Sequence, residues 1–177
     1  MKYPILLALA VVSLSPVSAQ ETPAPAPAAL PCPVTPVPLP AGLEGWVIHD
    51  PVTAATTAGD LAKAQILIGQ GATVTLTPQA QVTYIVTPEK PAKPGSMGGL
   101  LGFTVQVAGT YRVALGAGAW IDVLRDGKVI ASTAHGHGQP CSSIRKTVDF
   151  ALTPGKYLVQ VVGNSAPRLS LMVAHAS

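Results

Sequence analysis

The sequence predicts an all-β protein: a single antiparallel β-sandwich, jelly-roll-like, behind a signal peptide and a proline-rich segment. Three observations predict it. Apolar and polar residues alternate through most of residues 66–173, the period of a half-buried strand. Turn residues break that alternation at short, regular intervals, as at Gly69-Gln70-Gly71, Asp126-Gly127 and Pro154-Gly155. Helical periodicity is nearly absent, so many short strands must share one core, as in a sandwich or barrel.

The N-terminus carries its own pattern. Lys2 supplies a charge, Ile5 to Val12 is unbroken apolar chain, and Val17-Ser18-Ala19 is a small-x-small cleavage site. The apolar run is too short to span a bilayer. Residues 1–19 read as a signal peptide, and Gln20 after the cleavage point excludes a lipobox cysteine. Residues 20–41 read as an extended Pro/Ala-rich linker, because eight of the twenty residues from Glu21 to Pro40 are proline. Proline lacks a backbone donor and has a fixed φ, so this stretch cannot enter a sheet interior. Residues 42–177 are then the sandwich domain.

Within that domain Trp46-Val47-Ile48 is a short apolar run, and Ala/Thr-rich residues 53–64 suit one or two helical turns. Strands are expected around Ile66–Ile68, Thr73–Thr77 and Gln81–Val86, with a loop from Pro88 to Gly99. Further strands follow around 103–107, 111–115, 120–124, 129–130, 144–152, 157–161 and 169–173. The inward set is Phe103, Val105, Tyr111, Val113, Leu115, Ile121, Val123, Phe150, Tyr157, Val159, Leu169 and Leu171. Four of the eight aromatics fall in that set, so half of the aromatic content is expected in the core.

Composition excludes some functions. Net charge is +3, and removing Lys2 with the signal peptide leaves +2 on the mature chain. The cations are scattered, so no nucleic-acid footprint forms. No second long apolar run exists, so no transmembrane segment is expected in the mature chain. Cys32 and Cys141 are the only cysteines, and in an oxidising compartment they read as one disulfide. In the chain-entropy account a loop that long contributes up to about 4–5 kcal/mol. A reactive or metal-bound thiol at Cys141 is the competing reading.

The stretch from Leu76 to Val173 resembles the bacterial pre-peptidase C-terminal family of secreted jelly-roll sandwiches. The resemblance rests on Phe103 to Leu115, with its Gly109-Thr110-Tyr111 strand start, on Trp120 to Lys128, with its Asp-Gly hairpin, and on Phe150 to Val161. It implies the fold and an exported location and carries no catalytic residues. The chain also looks like short exported proteobacterial proteins labelled homogentisate dioxygenase. That label implies a cupin-like iron site with two His and one Glu.

His135-Gly136-His137-Gly138 is the motif that could carry such chemistry. Two His at this spacing can reach one iron or zinc ion, and a third ligand would come from Cys141, His49, His175, Asp122 or Asp50. The cupin spacing expects a Glu after the second His, where the chain has Gln139, Pro140, Cys141 and Ser142. Ser142 and Ser143 lie near His137 without a Gly-x-Ser-x-Gly elbow, and Asp149 is the nearest acidic residue in sequence. Asp122 alternates with core positions and is expected to face water. Arg145-Lys146 is expected to lie on a solvated strand face. Trp46, Trp120 and Tyr84 could form an aromatic platform for a sugar ring.

Three functions compete. The first is an exported, non-catalytic binding or accessory module whose partner is an envelope protein or glycan. The second is a metal-dependent enzyme on His135 and His137. The third is a structural envelope protein spaced by its proline-rich segment. The first leads, because the chain offers a complete fold with incomplete chemistry: five Asp and three Glu leave little for acid–base pairs. Intact-mass measurement of the exported protein is expected to give the mass of residues 20–177. A mass retaining residues 1–19 would remove the export argument.

Overall fold

The computed structural model describes Cys32, residues 37–90 and residues 93–176. The signal peptide assigned to residues 1–19 and most of the 20–41 linker lie outside the described residues. The described residues form eleven strands: β1 His49–Thr53, β2 Gly71–Thr75, β3 Thr77–Pro78, β4 Met97–Val105, β5 Gly109–Leu115, β6 Trp120–Arg125, β7 Lys128–Ile130, β8 Ala134–Gly136, β9 Lys146–Leu152, β10 Gly155–Asn164 and β11 Arg168–His175. They make a six-stranded sheet, β1-β2-β11-β5-β9-β8, and a five-stranded sheet, β3-β4-β10-β6-β7. From β4 onward the chain changes sheet at most connections, the wrapped path of a jelly roll. All pairs are antiparallel except β1 with β2, which run parallel.

The alternation places the core. Every residue of the expected inward set is buried between the sheets. Phe103 and Tyr157 face each other across the β4–β10 ladder, with ring centroids 5.5 Å apart. The β6–β7 hairpin turns on Asp126 and Gly127 at φ 50° and 72°, a both-positive turn whose twist matches that of the strands. The open edges are blunted: β1 carries Pro51, β3 is two residues ending in Pro78, and β7 and β8 have three residues each.

The central strands are buried on both faces. In β10 every residue from Tyr157 to Val162 is buried, so the outward Leu158, Gln160 and Val162 are covered as well. The cover of the five-stranded sheet is the segment 82–86, which the sequence reads as a strand. It forms none, because its backbone meets a side chain instead of a neighbouring strand. Ile85 and Val86 donate their amides to Gln160 Oε1 at 2.7 and 3.1 Å, and Gln160 Nε2 donates to Val86 O at 3.2 Å. Tyr84 donates its hydroxyl to Val161 O, lying over Gly98, where a Cβ would collide with it. Strand β4 begins inside the stretch expected to be loop, where Met97 and Gly98 pair with β3.

The six-stranded sheet is covered likewise. Leu43 and Trp46, with Leu39 beside them, pack on Ala114, Ile144, Met172 and Ala174 as a second apolar cluster. Trp46 donates its indole N–H to Ser143 Oγ at 3.0 Å, and Cys32 is bonded to Cys141 with Cα atoms 5.5 Å apart. The helical turns expected in residues 53–64 are present as a 3₁₀ helix, Ala58–Lys63. The strand expected at Ile66–Ile68 does not form; the preceding Gln65 makes one bridge with Gly102, and Leu67 is exposed.

Gln160→Leu keeps the volume and strands two amides, at a cost of about 2–4 kcal/mol in urea unfolding. Val129→Thr, on an exposed strand position, is expected to stay within about 0.5 kcal/mol.

Candidate functional site

The site follows from how the sheets end. Strand β7 pairs only with Val123 to Arg125, and the chain then leaves through Ala131 and Ser132 for the other sheet. Trp120 to Asp122 therefore pair with β10 on one side and, among the described residues, have no neighbouring strand on the other. A cleft of about 400 Å³ lies along this open stretch. Its apolar wall includes Ile121, Val148 and Phe150, and its polar lining includes Glu89, Asp122, Ser132, His135 and Lys146.

Two expectations about this region are corrected. Asp122 does not face water; it is buried under the 82–90 segment, where Trp120 Nε1 donates to its Oδ1 at 2.9 Å and Gln160 Nε2 approaches its Oδ2 at 3.5 Å. Lys146 is not on a solvated face. It has the parity of Val148 and Phe150, so it turns between the sheets, and its Nζ donates to Ala119 O at 3.2 Å. The Lys90 and Lys146 ammonium groups lie 4.8 and 5.2 Å from the Trp120 ring centroid. Burial, then the neighbouring Lys90 charge, holds the Lys146 ammonium below the usual lysine range, with Asp122 acting in the opposite sense. Burial, then Asp122, pushes the Tyr84 phenol up to about 12.

The His motif borders the cleft through His135 and otherwise lines a second recess. His135 sits on the short edge strand β8 rather than in a loop, and His137 follows it; both are exposed. They line a recess of about 260 Å³ with Arg112 and Asp149, which form a two-pronged ion pair with both contacts at 2.7 Å. The proposed further metal ligands are engaged otherwise. Cys141 is in the disulfide and Asp122 accepts from Trp120. His49 and His175 stand edge-on to Trp46 and Tyr111. Asp50 is exposed on the edge strand β1. Among the described residues no three His, Cys, Asp or Glu side chains converge on one point. Nor is any serine hydroxyl there hydrogen-bonded to a histidine, and Asp149 is paired with Arg112.

The aromatic trio divides. Tyr84 and Trp120 both flank Asp122, whereas Trp46 is buried under the other sheet and presents no face. Sequence reasoning missed Lys90 and Gln160; the even spacing of Lys146 with Val148, Phe150 and Leu152 was the one signal for an inward lysine.

No protein-family model and no curated protein matches the sequence. The fold and the cleft therefore define the class: a β-sandwich domain with a cleft at the open end of its sheets. No helix among the described residues is long and apolar enough to cross a membrane.

The shared dependence on Asp122 gives a titration test. Asp122→Asn keeps an acceptor for Trp120 and removes the charge that raises both neighbours. Tyr84, followed by phenolate absorbance, and Lys146, followed by NMR, are both expected to titrate at lower pH than in the parent. Tyr84 keeps its proton in the fold where the unfolded chain loses it, so stability falls as pH climbs from 10.0 to about 12. The variant narrows that window.

Proposed function

We propose that this chain is an exported, non-catalytic binding module, periplasmic or extracellular, that holds an envelope protein or glycan at the cleft beside Trp120. The observation that carries the reading is the convergence of an apolar wall with a few fixed polar groups in one concavity, the usual composition of a recognition site. Asp122 and Lys146 are each tied to fixed protein partners, so they are pre-set for contact. The disulfide supports an oxidising, exported location, as the signal peptide pattern does.

The metal-dependent reading, with iron or zinc on His135 and His137, would need a third ligand recruited from outside the described arrangement. The structural reading would make the cleft incidental. A photo-crosslinking residue placed at Ser132, on the cleft, separates these from the leading one. Irradiation of exporting cells is expected to give a discrete adduct from Ser132 and none from the same residue at Thr56, outside the cleft. Equal or absent adducts at both positions would overturn the proposal.

A further inference from the structure

The open stretch of β6 specifies more than a concavity. Arg125 and Lys128 flank a two-residue hairpin, so they exchange backbone hydrogen bonds, and Val123 with Ile130 is the next bonded pair. By the same alternation the N–H and C=O of Ile121 point to that side, where β7 has already left. Among the described residues neither group has a partner there. A row of unpaired strand groups is a template for another strand.

The template is short and bounded. β7 closes one end at Val123, and Lys146 closes the other by bonding Ala119 O. The three residues between, Trp120 to Asp122, span about 10 Å of strand. A strand that continues the line of β7 runs antiparallel to β6 and ends at Lys146. There a half-buried ammonium with donors to spare meets the incoming chain. A chain terminus suits this place better than a passing segment, because a carboxylate at the last residue is what Lys146 can pair. Ile121, Val148 and Phe150 offer an apolar seat for one side chain of that strand.

We infer that the cleft binds the free C-terminus of an extended partner peptide: a backbone pair at Ile121, one apolar side chain against Phe150, and the terminal carboxylate at Lys146. This rests on the binding-module reading and names its ligand as protein rather than glycan. Two observations favour protein. Ammonium groups already lie near the Trp120 ring on which a sugar would stack. Glu89 on the exposed rim and the buried Asp122 balance Lys90 and Lys146, a charge set that suits a single carboxylate better than a polyanionic saccharide.

The test uses the intact mature protein and a displayed library of random heptapeptides with free C-termini. Selected peptides are synthesised as the free acid, as the C-terminal amide, and as the free acid N-methylated at the residue facing Ile121. The amide and the N-methyl form are each expected to bind about tenfold more weakly than the free acid. Lys146→Met, with its fold checked by circular dichroism, is expected to bind acid and amide alike. Because the peptide forms alone test backbone and carboxylate, a misfolded variant does not decide the matter. No enriched peptide, or equal binding of the three forms, overturns the inference. A saccharide adduct at Ser132 overturns it while sparing the binding module. Failure of both the peptides and the Ser132 adduct removes both readings.

Discussion

Strands β10 and β11 are buried on both faces, and the rest of the fold answers to that. Between the sheets they build the apolar core; on the outside they would expose Leu158 and Val162 on one sheet and Met172 and Ala174 on the other. A chain with only 11% charged residues has little polar surface to spread over two such sheets. It covers each with an irregular segment. Those covers cannot use a ladder, so their backbone groups need side-chain partners, since a buried amide left without one costs about 1–3 kcal/mol. Gln160 meets that need with one amide that accepts twice and donates once to the segment above it. On the other sheet the indole of Trp46, bonded to Ser143, and the Cys32–Cys141 bridge fix the cover from two sides.

The cleft is a consequence of the same topology. A jelly roll must carry its chain from sheet to sheet, and the crossing through residues 131–133 takes β7 away from β6 after three paired residues. What remains is a stretch of strand with an open side at the place where the two sheets gape. Here the inward position of β9 at that level is Lys146, long enough to reach Ala119 O and charged enough to resist full burial. The cover segment then brings Glu89 and Lys90 to the same end. Site and cover are thus made by one segment, and the amide of Gln160 that holds the cover also touches the Asp122 carboxylate.

Much of the fold was legible because alternation reports one-sided burial directly. The repeated Gly-x-Tyr strand starts are the clearest case. Tyr111 donates to Val107 O at 2.8 Å, and Tyr157 donates to Thr153 O at 2.9 Å, each closing on the backbone four residues upstream. The ring enters the core while the hydroxyl stays paired, so a local pattern yields a local structure. What was not legible depends on partners remote in sequence. Gln160 binds residues 74 and 75 positions away, and no local pattern distinguishes it from an exposed glutamine. Asp122 looked solvated for the same reason: its burial is imposed by the 82–90 cover, not by its own strand. The segment 82–86 shows the converse error, since Val82, Tyr84 and Val86 do alternate toward the core while their backbone is bonded to a side chain.

The contrast between the two candidate regions is one of preorganisation. His135 and His137 stand exposed beside an ion pair that is already satisfied, since Arg112 and Asp149 hold each other through both oxygens. Any ligand there must either break a bidentate pair or bind two solvated imidazoles that no carboxylate orients, whereas metal-binding histidines usually have their second nitrogen fixed. Around Trp120 the reverse holds. The indole N–H is locked on Asp122, Asp122 is held beside Gln160, and Lys146 is anchored on a backbone carbonyl. Each polar group is fixed before a ligand arrives and keeps unused capacity, three donors on the ammonium against one bond made. Fixed donors beside an apolar seat lose little freedom when a partner docks, and that is the physical reason the proposed recognition falls at the open end of β6 rather than at the histidines.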